Sequence, residues 1–180
     1  MSSFTKKAII EAFIRLASKK PLEKITVRDI VDDCGINRNT FYYHFQDIFA
    51  VLEEICLSGT RKIKKELPLG ELLADLFLVL IDYAARHPKA MAHIAASIGQ
   101  SGAERYFAKG FDDAVLEALE RDTASRDLPV LRTATVFLRH AFIGLFVDWI
   151  NASGKIDGEK LAARIAIMAQ GVCDAIKAKI

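Results

Sequence analysis

The chain has little of what most enzyme sites are built from. Its 180 residues include three cysteines, Cys34, Cys56 and Cys173, widely separated and without the paired spacing that holds a metal. Thiols so placed read as buried or half-buried side chains in a reducing compartment. No GxSxG, no glycine-rich phosphate loop and no HExxH occurs. The adjacent acid pairs Asp32-Asp33, Glu53-Glu54 and Asp112-Asp113 point apart on a helix instead of sharing a site. With no nucleophile beside a base, no metal cluster and no cofactor cradle, the expectation is a protein that is not an enzyme and uses no cofactor or metal.

Other shortages narrow the class further. No unbroken apolar run approaches the roughly 18 residues of a membrane span, and the opening MSSFTKK lacks a secretory apolar stretch. Both predict a cytoplasmic protein with no membrane partner. Charge of one sign is also missing, since 25 Lys+Arg stand against 23 Asp+Glu. That excludes a basic protein that coats DNA by bulk charge. Residues 1–66 hold 12 basic against 9 acidic side chains, and residues 67–180 hold 13 against 14, so a mild positive excess lies at the first end. Only four prolines occur, and Pro21, Pro68, Pro88 and Pro129 each fall where a helical pattern stops or starts. Strand alternation, repeats and low-complexity tracts are absent. Hydrophobic residues make up 52%, enough for a substantial core. An all-α fold of about nine helices follows.

What is present centres on Thr26–Phe45, TVRDIVDDCGINRNTFYYHF. Thr26 is an N-cap, and Asp29 three residues on completes the reciprocal start signal. Val27, Ile30, Val31 and Cys34 give one buried face. Gly35 ends that helix, because a left-handed residue is cheap only for glycine. Asn37 caps a second helix, Arg38–His44, which Phe41 and Phe45, one turn apart, anchor to the core. Arg38 can bridge guanine O6 and N7, and Asn39 adenine N6 and N7. Tyr, Thr and His side chains suit phosphate oxygens, contacts that fix register without reading sequence. So much exposed aromatic surface in Tyr42-Tyr43-His44 is unusual for a merely solvated face.

The segment from Thr5 to about Ile55 resembles the DNA-binding domain of the TetR family of bacterial transcription regulators. The likeness lies in ITVRDIVDDCGINRNTFYYHFQDIFAVLEEI, with its Thr-x-x-x-Ile, Gly-Ile and Thr-Phe-Tyr-x-His-Phe pieces in order. It implies Arg28, Arg38, Asn39 and Tyr43 as base readers and Thr26, Thr40, Tyr42 and His44 as phosphate clamps, with Asn37 at the helix start completing the DNA-binding set. One position departs from the family pattern: Ile48 stands where many members carry a lysine, leaving Gln46 or the amides of the next helix to serve a phosphate there.

Around this motif the chain reads as a string of helices. Thr5–Ser18 is amphipathic, with Lys6, Lys7 and Arg15 outward. Asp47 caps a long helix from Ile48 to Glu66 with Phe49, Leu52, Ile55, Cys56 and Ile63 inward, closed by RKIKKE. Leu69–Arg86 follows, then Lys89–Ile98 ended by Gly99, a loop at Gln100-Ser101-Gly102, and Ala103–Ala124. Pro129–Asn151 is apolar nearly all round. After a turn at Asn151–Gly154, Gly158–Lys179 carries an apolar stripe from Leu161 to Ile176. The division is residues 1–47 as a three-helix helix-turn-helix head, 48–66 as connector, and 67–180 as an effector-binding and dimerisation domain.

Two final helices with more apolar surface than one core can use predict a homodimer through residues near 130–151 and 158–179. An enclosed site for an unknown small-molecule effector is expected in the same domain, with Phe77, Tyr83, His93, Tyr106, Phe111, His140 and Trp149 as candidate contacts. Arg139 and Asp148, charges within the most apolar helix, can pair across the dimer, face solvent or mark the pocket wall. The resemblance then implies a dimeric, ligand-responsive repressor on a near-palindromic operator in double-stranded DNA. The alternative is a TetR-like protein with weakened DNA binding that acts as a co-regulator through protein contacts.

Overall fold

Gly35, Pro68, Pro88 and Pro129 each lie at a helix end, as the sequence predicts. The computed structural model describes residues 2–60, 66–152 and 155–178. Among these there are α-helices and one 3-10 turn but no strand: α1 Ser2–Ala17, the turn Leu22–Lys24, α2 Val27–Cys34, α3 Arg38–His44, α4 Ile48–Thr60, α5 Leu69–Arg86, α6 Pro88–Thr123, α7 Leu128–Asn151 and α8 Gly158–Lys177. The all-α expectation holds. Ile63, most of RKIKKE, Gly154 and Lys179 lie outside the described residues.

The head is held by caps and a small core. The Thr26 hydroxyl accepts from the Asp29 amide at 3.2 Å, and the Asp29 carboxylate accepts from the Thr26 amide at 2.8 Å. Gly35 closes α2 with φ 69° and ψ 31°, and its amide donates to Val31 O. Asn37 Oδ1 accepts from the Thr40 amide at 2.8 Å to open α3. Ile9, Phe13, Ile30, Phe41 and Phe45 are buried together. Arg15 holds Asp33 through Nε at 2.9 Å and Nη2 at 2.6 Å, fixing α1 to α2. Lys6, expected to point outward, instead pairs with Glu54 at 2.9 Å and ties α1 to α4.

In the larger part, α5 packs along α8 and α6 along α7. The start of α5 has no side-chain cap of its own. Asp122, at the far end of α6, accepts from the Leu69 amide at 2.6 Å and supplies one. The expected loop at Gln100-Ser101-Gly102 is helical. The break is confined to Gly99, whose φ of 59° and ψ of −170° bend α6 into two arms, a conformation open to glycine alone at little cost. Phe49 also departs from expectation: it is 41% exposed and stacks on Tyr106, rings parallel at 5.9 Å. Leu52 and Cys56 are buried on the inner side of α4 as expected and Ile55 packs half-buried against the core, while Val51 takes the inward place expected of Phe49. Helix α7 is long and apolar enough by composition to cross a membrane, yet it lies along α6 with Leu131, Leu138, Phe142 and Phe146 buried.

The capping box has a pH signature. Hydrogen bonds from Lys20 and Thr26 hold the Asp29 carboxyl at about 2, below its ordinary 3.8. Because the folded value is depressed, this stabilisation is complete above the ordinary value and is lost as pH falls from about 4 toward 2. Asp29→Asn should lower stability near neutrality and flatten its pH dependence across that window, read by urea denaturation at a series of pH values.

Candidate nucleic-acid interface and effector cavity

Helix α3 spans only two turns, so its orientation is set by what lies beneath it. Phe41 is fully buried and Phe45 nearly so, their centroids 6.0 Å apart. Residues 38, 39, 42 and 43 fall together on the outer side by i, i+4 spacing. Arg38 and Asn39 are exposed, Tyr42 is 56% exposed and Tyr43 82%. Tyr43 meets the half-buried His44 edge-on at 5.0 Å. The helix thus presents a guanidinium, an amide and two phenols on one rigid face, the groups that read and clamp a major groove.

The remaining expected DNA contacts are placed differently. Arg28 stands out from α2, 3.6 Å from Asp32, a pair so exposed that it holds the guanidinium weakly. Thr26 and Asn37 are engaged as caps. The Thr26 hydroxyl proton goes to Asp29 at 2.8 Å, and Thr40 donates both its amide and its hydroxyl to Asn37 Oδ1. These three fix the starts of α2 and α3, whose free amides face outward. Ile48 is half-buried against the core and brings no cation. Asp47 caps α4 by accepting from the Ala50 amide at 2.8 Å.

A second site lies between α4, α5, α6 and α7: an apolar cavity of about 100 Å³. Leu52, Ile55 and Cys56 form its α4 wall, and Met91, Ile94 and Ile98 its α6 wall. Phe107, Phe146 and Ile150 complete the enclosure, with Ser58 and Arg86 also on the lining. Of the seven expected effector contacts, Tyr83 and Tyr106 line this cavity. The other five lie elsewhere. Phe77 and Phe111 are core residues packed on Phe142 at 5.6 and 5.1 Å. His140 pairs with Glu104 at 2.9 Å, and the Trp149 indole donates to Ile156 O at 3.1 Å. His93 turns the opposite way, its Nδ1 donating to Ala17 O at 2.7 Å.

All seven expected contacts are aromatic or imidazole rings, whereas the cavity walls are mainly aliphatic. A signal existed in Met91, Ile94, Ala95 and Ile98, which repeat at i, i+3, i+4 and i+7. Of the two embedded charges, Arg139 pairs with Asp112 on α6, leaving Arg139 Nε and Asp112 Oδ1 buried without partners, and Asp148 is exposed. Burial raises all three thiols, Cys56 to about 12, so none carries the thiolate a redox sensor needs. No group of three or more His, Cys, Asp or Glu among the described residues could hold a metal.

The cavity and the head share two helices. Helix α4 gives the cavity one wall and is joined to α3 by only three residues, Phe45 to Asp47. The first arm of α6 gives another wall, and from its other side His93 holds Ala17 while Ser97 Oγ accepts from the Leu22 amide at 3.2 Å. A capped helix pair with an exposed reading face, mounted on a helical body with an apolar cavity, defines a helix-turn-helix regulator of transcription. Residues 9–55 match the family model described as bacterial regulatory proteins, tetR family, and residues 71–171 match that of a transcriptional regulator C-terminal region. The chain belongs to the TetR family.

A relative from Bacillus subtilis, the uncharacterized HTH-type transcriptional regulator YerO, is 39% identical over 51 residues, which is 28% of this chain and 18% of that protein. The chain therefore matches less than a fifth of that relative's length. Among solved structures, the dihydroxyacetone kinase operon activator DhaS superposes with a TM-score of 0.65 at 19% identity, covering 95% of this chain and 97% of that one. NalD, the secondary repressor of the MexAB-OprM multidrug efflux pump in Pseudomonas aeruginosa, gives 0.60 at 22%, covering 96% and 97%. A tetR-family regulator from Streptomyces coelicolor gives 0.62 at 13%, covering 99% and 84%. These likenesses concern the fold.

Arg38→Ala and Tyr42→Ala remove exposed atoms, so each should leave the melting temperature unchanged while weakening binding to a selected DNA duplex about tenfold or more, the loss of one good base or phosphate contact. Phe41→Ala empties the head's core and should cost about 3–5 kcal/mol. Thermal melts and fluorescence anisotropy on the same preparations separate the two effects.

Proposed function

We propose that the protein is a dimeric, ligand-responsive repressor that binds a near-palindromic operator in double-stranded DNA in the cytoplasm. The observation that carries this reading is the outer face of α3, where Arg38, Asn39, Tyr42 and Tyr43 stand exposed on a helix fixed by Phe41 and Phe45. Residues 1–47 serve as the DNA-binding head, 48–66 as the connector, and 67–180 as the effector-binding and dimerisation domain. Arg28, Arg38, Asn39 and Tyr43 read bases. Thr40, Tyr42 and His44 hold phosphates, while Thr26 and Asn37 contribute through the helix starts they cap.

Dimerisation is supported by the apolar groove between α7 and α8. Phe137 is 61% exposed and Met168 69%, and both line a groove with Ala141, Leu145, Leu161 and Val172. Contiguous apolar surface of that kind marks an interface, and two-fold pairing of α7 and α8 with their copies covers it. The two α3 helices then enter successive major grooves about 34–36 Å apart. An effector in the cavity bears on α4 and on the first arm of α6, and it releases DNA by its preference for a different spacing of the heads. Tyr83 and Tyr106 are its polar contacts.

The test is binding to duplexes selected from random sequence, titrated with salt. Tight, selective binding should fall linearly in log K against log salt, with a slope that counts the phosphates held. In a reporter strain, loss of the protein should raise expression from that operator; a fall would make it an activator. Phe137→Glu with Met168→Glu should give a folded monomer by sedimentation and abolish selective binding. Equal, weak binding to every duplex by an intact dimer would instead support the co-regulator reading, which Ile48 favours by supplying no charge where a phosphate contact is expected.

A further inference from the structure

The cavity between α4 and α7 carries enough chemistry to name its ligand class, an inference that rests on reading it as the effector site. Its size sets the first limit. At about 100 Å³ it is of the order of the cavity that holds a single benzene ring, about 150 Å³. The enclosed part therefore holds about one ring, and the rest of any drug-sized guest would lie outside it.

Charge sets the second limit. Burial pushes the Tyr83 phenol up to about 12 and raises Tyr106 in the same direction, so both are neutral donors. The Cys56 thiol beside them is neutral for the same reason. Arg86 is the one lining cation among the described residues, and its side chain, 62% exposed beside Asp82, keeps its charge largely in solvent. A charged guest would lose its water and meet at best a solvated counter-charge, a heavy penalty in so apolar a space.

Hydrogen bonding sets the third. Ser58 donates its hydroxyl to Ile55 O at 2.8 Å. The Tyr83 hydroxyl has no hydrogen-bond partner among the described residues, although its ring is fixed against His87 at 4.9 Å. That hydroxyl is not among the fully buried unpartnered atoms, so water reaches it. A guest carrying one acceptor replaces the water's bond, and a pure hydrocarbon displaces it without replacement.

We propose that the cavity takes an uncharged, mainly hydrocarbon molecule of about one ring's bulk, bearing a single acceptor that receives the Tyr83 hydroxyl. Four isosteric probes separate the possibilities: acetophenone, cumene, benzoate and benzamidinium, each titrated into the full-length protein. Binding is read from the methionine methyl signals. The methyl of Met91, on the cavity wall, should shift and that of Met168, 69% exposed on α8, should not.

Acetophenone should bind saturably, cumene several-fold more weakly, and the two ions about tenfold more weakly still or not at all, given the desolvation they suffer. Tyr83→Phe, which keeps the ring, should erase the difference between acetophenone and cumene while both still bind. Benzoate or benzamidinium binding as tightly as acetophenone overturns the proposal, as does binding that leaves Met91 unmoved, or no binding by any probe. Adding each bound probe to the complex with a selected duplex tests the underlying reading separately. Acetophenone that binds at Met91 yet leaves the DNA complex intact overturns the effector role and leaves the ligand class standing.

Discussion

The reading helix is too short to exist by itself. Seven residues make two turns, well below the roughly 12–15 at which isolated helices become even marginal in water. Everything that points at DNA therefore depends on burial of Phe41 and Phe45 and on the cap that Asn37 supplies. The same dependence explains why α3 can carry Arg, Asn and two Tyr outward. Their intrinsic helix preference matters little when the Phe pair already fixes the backbone. It also explains the density of ties around the head. Arg15 to Asp33, Lys6 to Glu54 and Lys20 to Asp29 each join neighbouring elements. Singly, such half-exposed pairs are worth little; together they limit how α1, α2 and α4 can slide under α3.

A head braced in this way moves as a unit, and two helices can move it. α4 is continuous with the head on one side and with the cavity on the other. The first arm of α6 contacts the head by His93 and Ser97 and the cavity by Met91, Ile94 and Ile98. A change in cavity width taken up by either of these helices bears on the head, α4 through its start and α6 through His93 and Ser97. Gly99 divides α6 into two arms with different partners: the first reaches the head through His93 and Ser97, and the second sets Phe107 and Phe111 against Phe146 and Phe142 of α7. The stack of Phe49 on Tyr106 sits at the corner where both routes meet, since Tyr106 also lines the cavity.

How much of this was legible in the sequence varies with the range of the physics. Caps, breaks and the reading face are local, and Thr26, Asp29, Gly35, Asn37, Asp47, Asp127 and Asp157 all cap or close helices, the first five and Asp157 readable in advance. Facing is not local. Phe49 satisfied the helical stripe of α4, but Val51 took the inner position, because α1 and α6 approach that helix from sides no periodicity reveals. The three polar residues after Gly99 looked like a loop by composition, yet a single glycine torsion absorbs the bend and the helix resumes at once. Cavity residues were the least legible. Phe77 and Phe111 are indistinguishable by pattern from Phe107, which faces the space they do not, because which core aromatics are close-packed and which border a void depends on how four helices meet.

That void has an energetic meaning. An unfilled apolar cavity of about 100 Å³ forgoes packing worth about 2 kcal/mol on the scale of large-to-small core substitutions. Phe107 and Phe146 already border the space, and a bulkier residue at Ala95, also on its lining, would narrow it. In the proposed effector reading, leaving it open keeps stability in reserve, to be recovered when a fitting molecule enters. Because the walls belong to α4 and α6, the conformation in which that recovery is greatest need not be the one that sets α3 for DNA. A protein with a close-packed interior would have no such difference between its two states for a ligand to act on. In the proposed reading, the cavity's imperfect packing and the head's tight bracing are complementary requirements of one device, softness where an effector would enter and rigidity where DNA would be read.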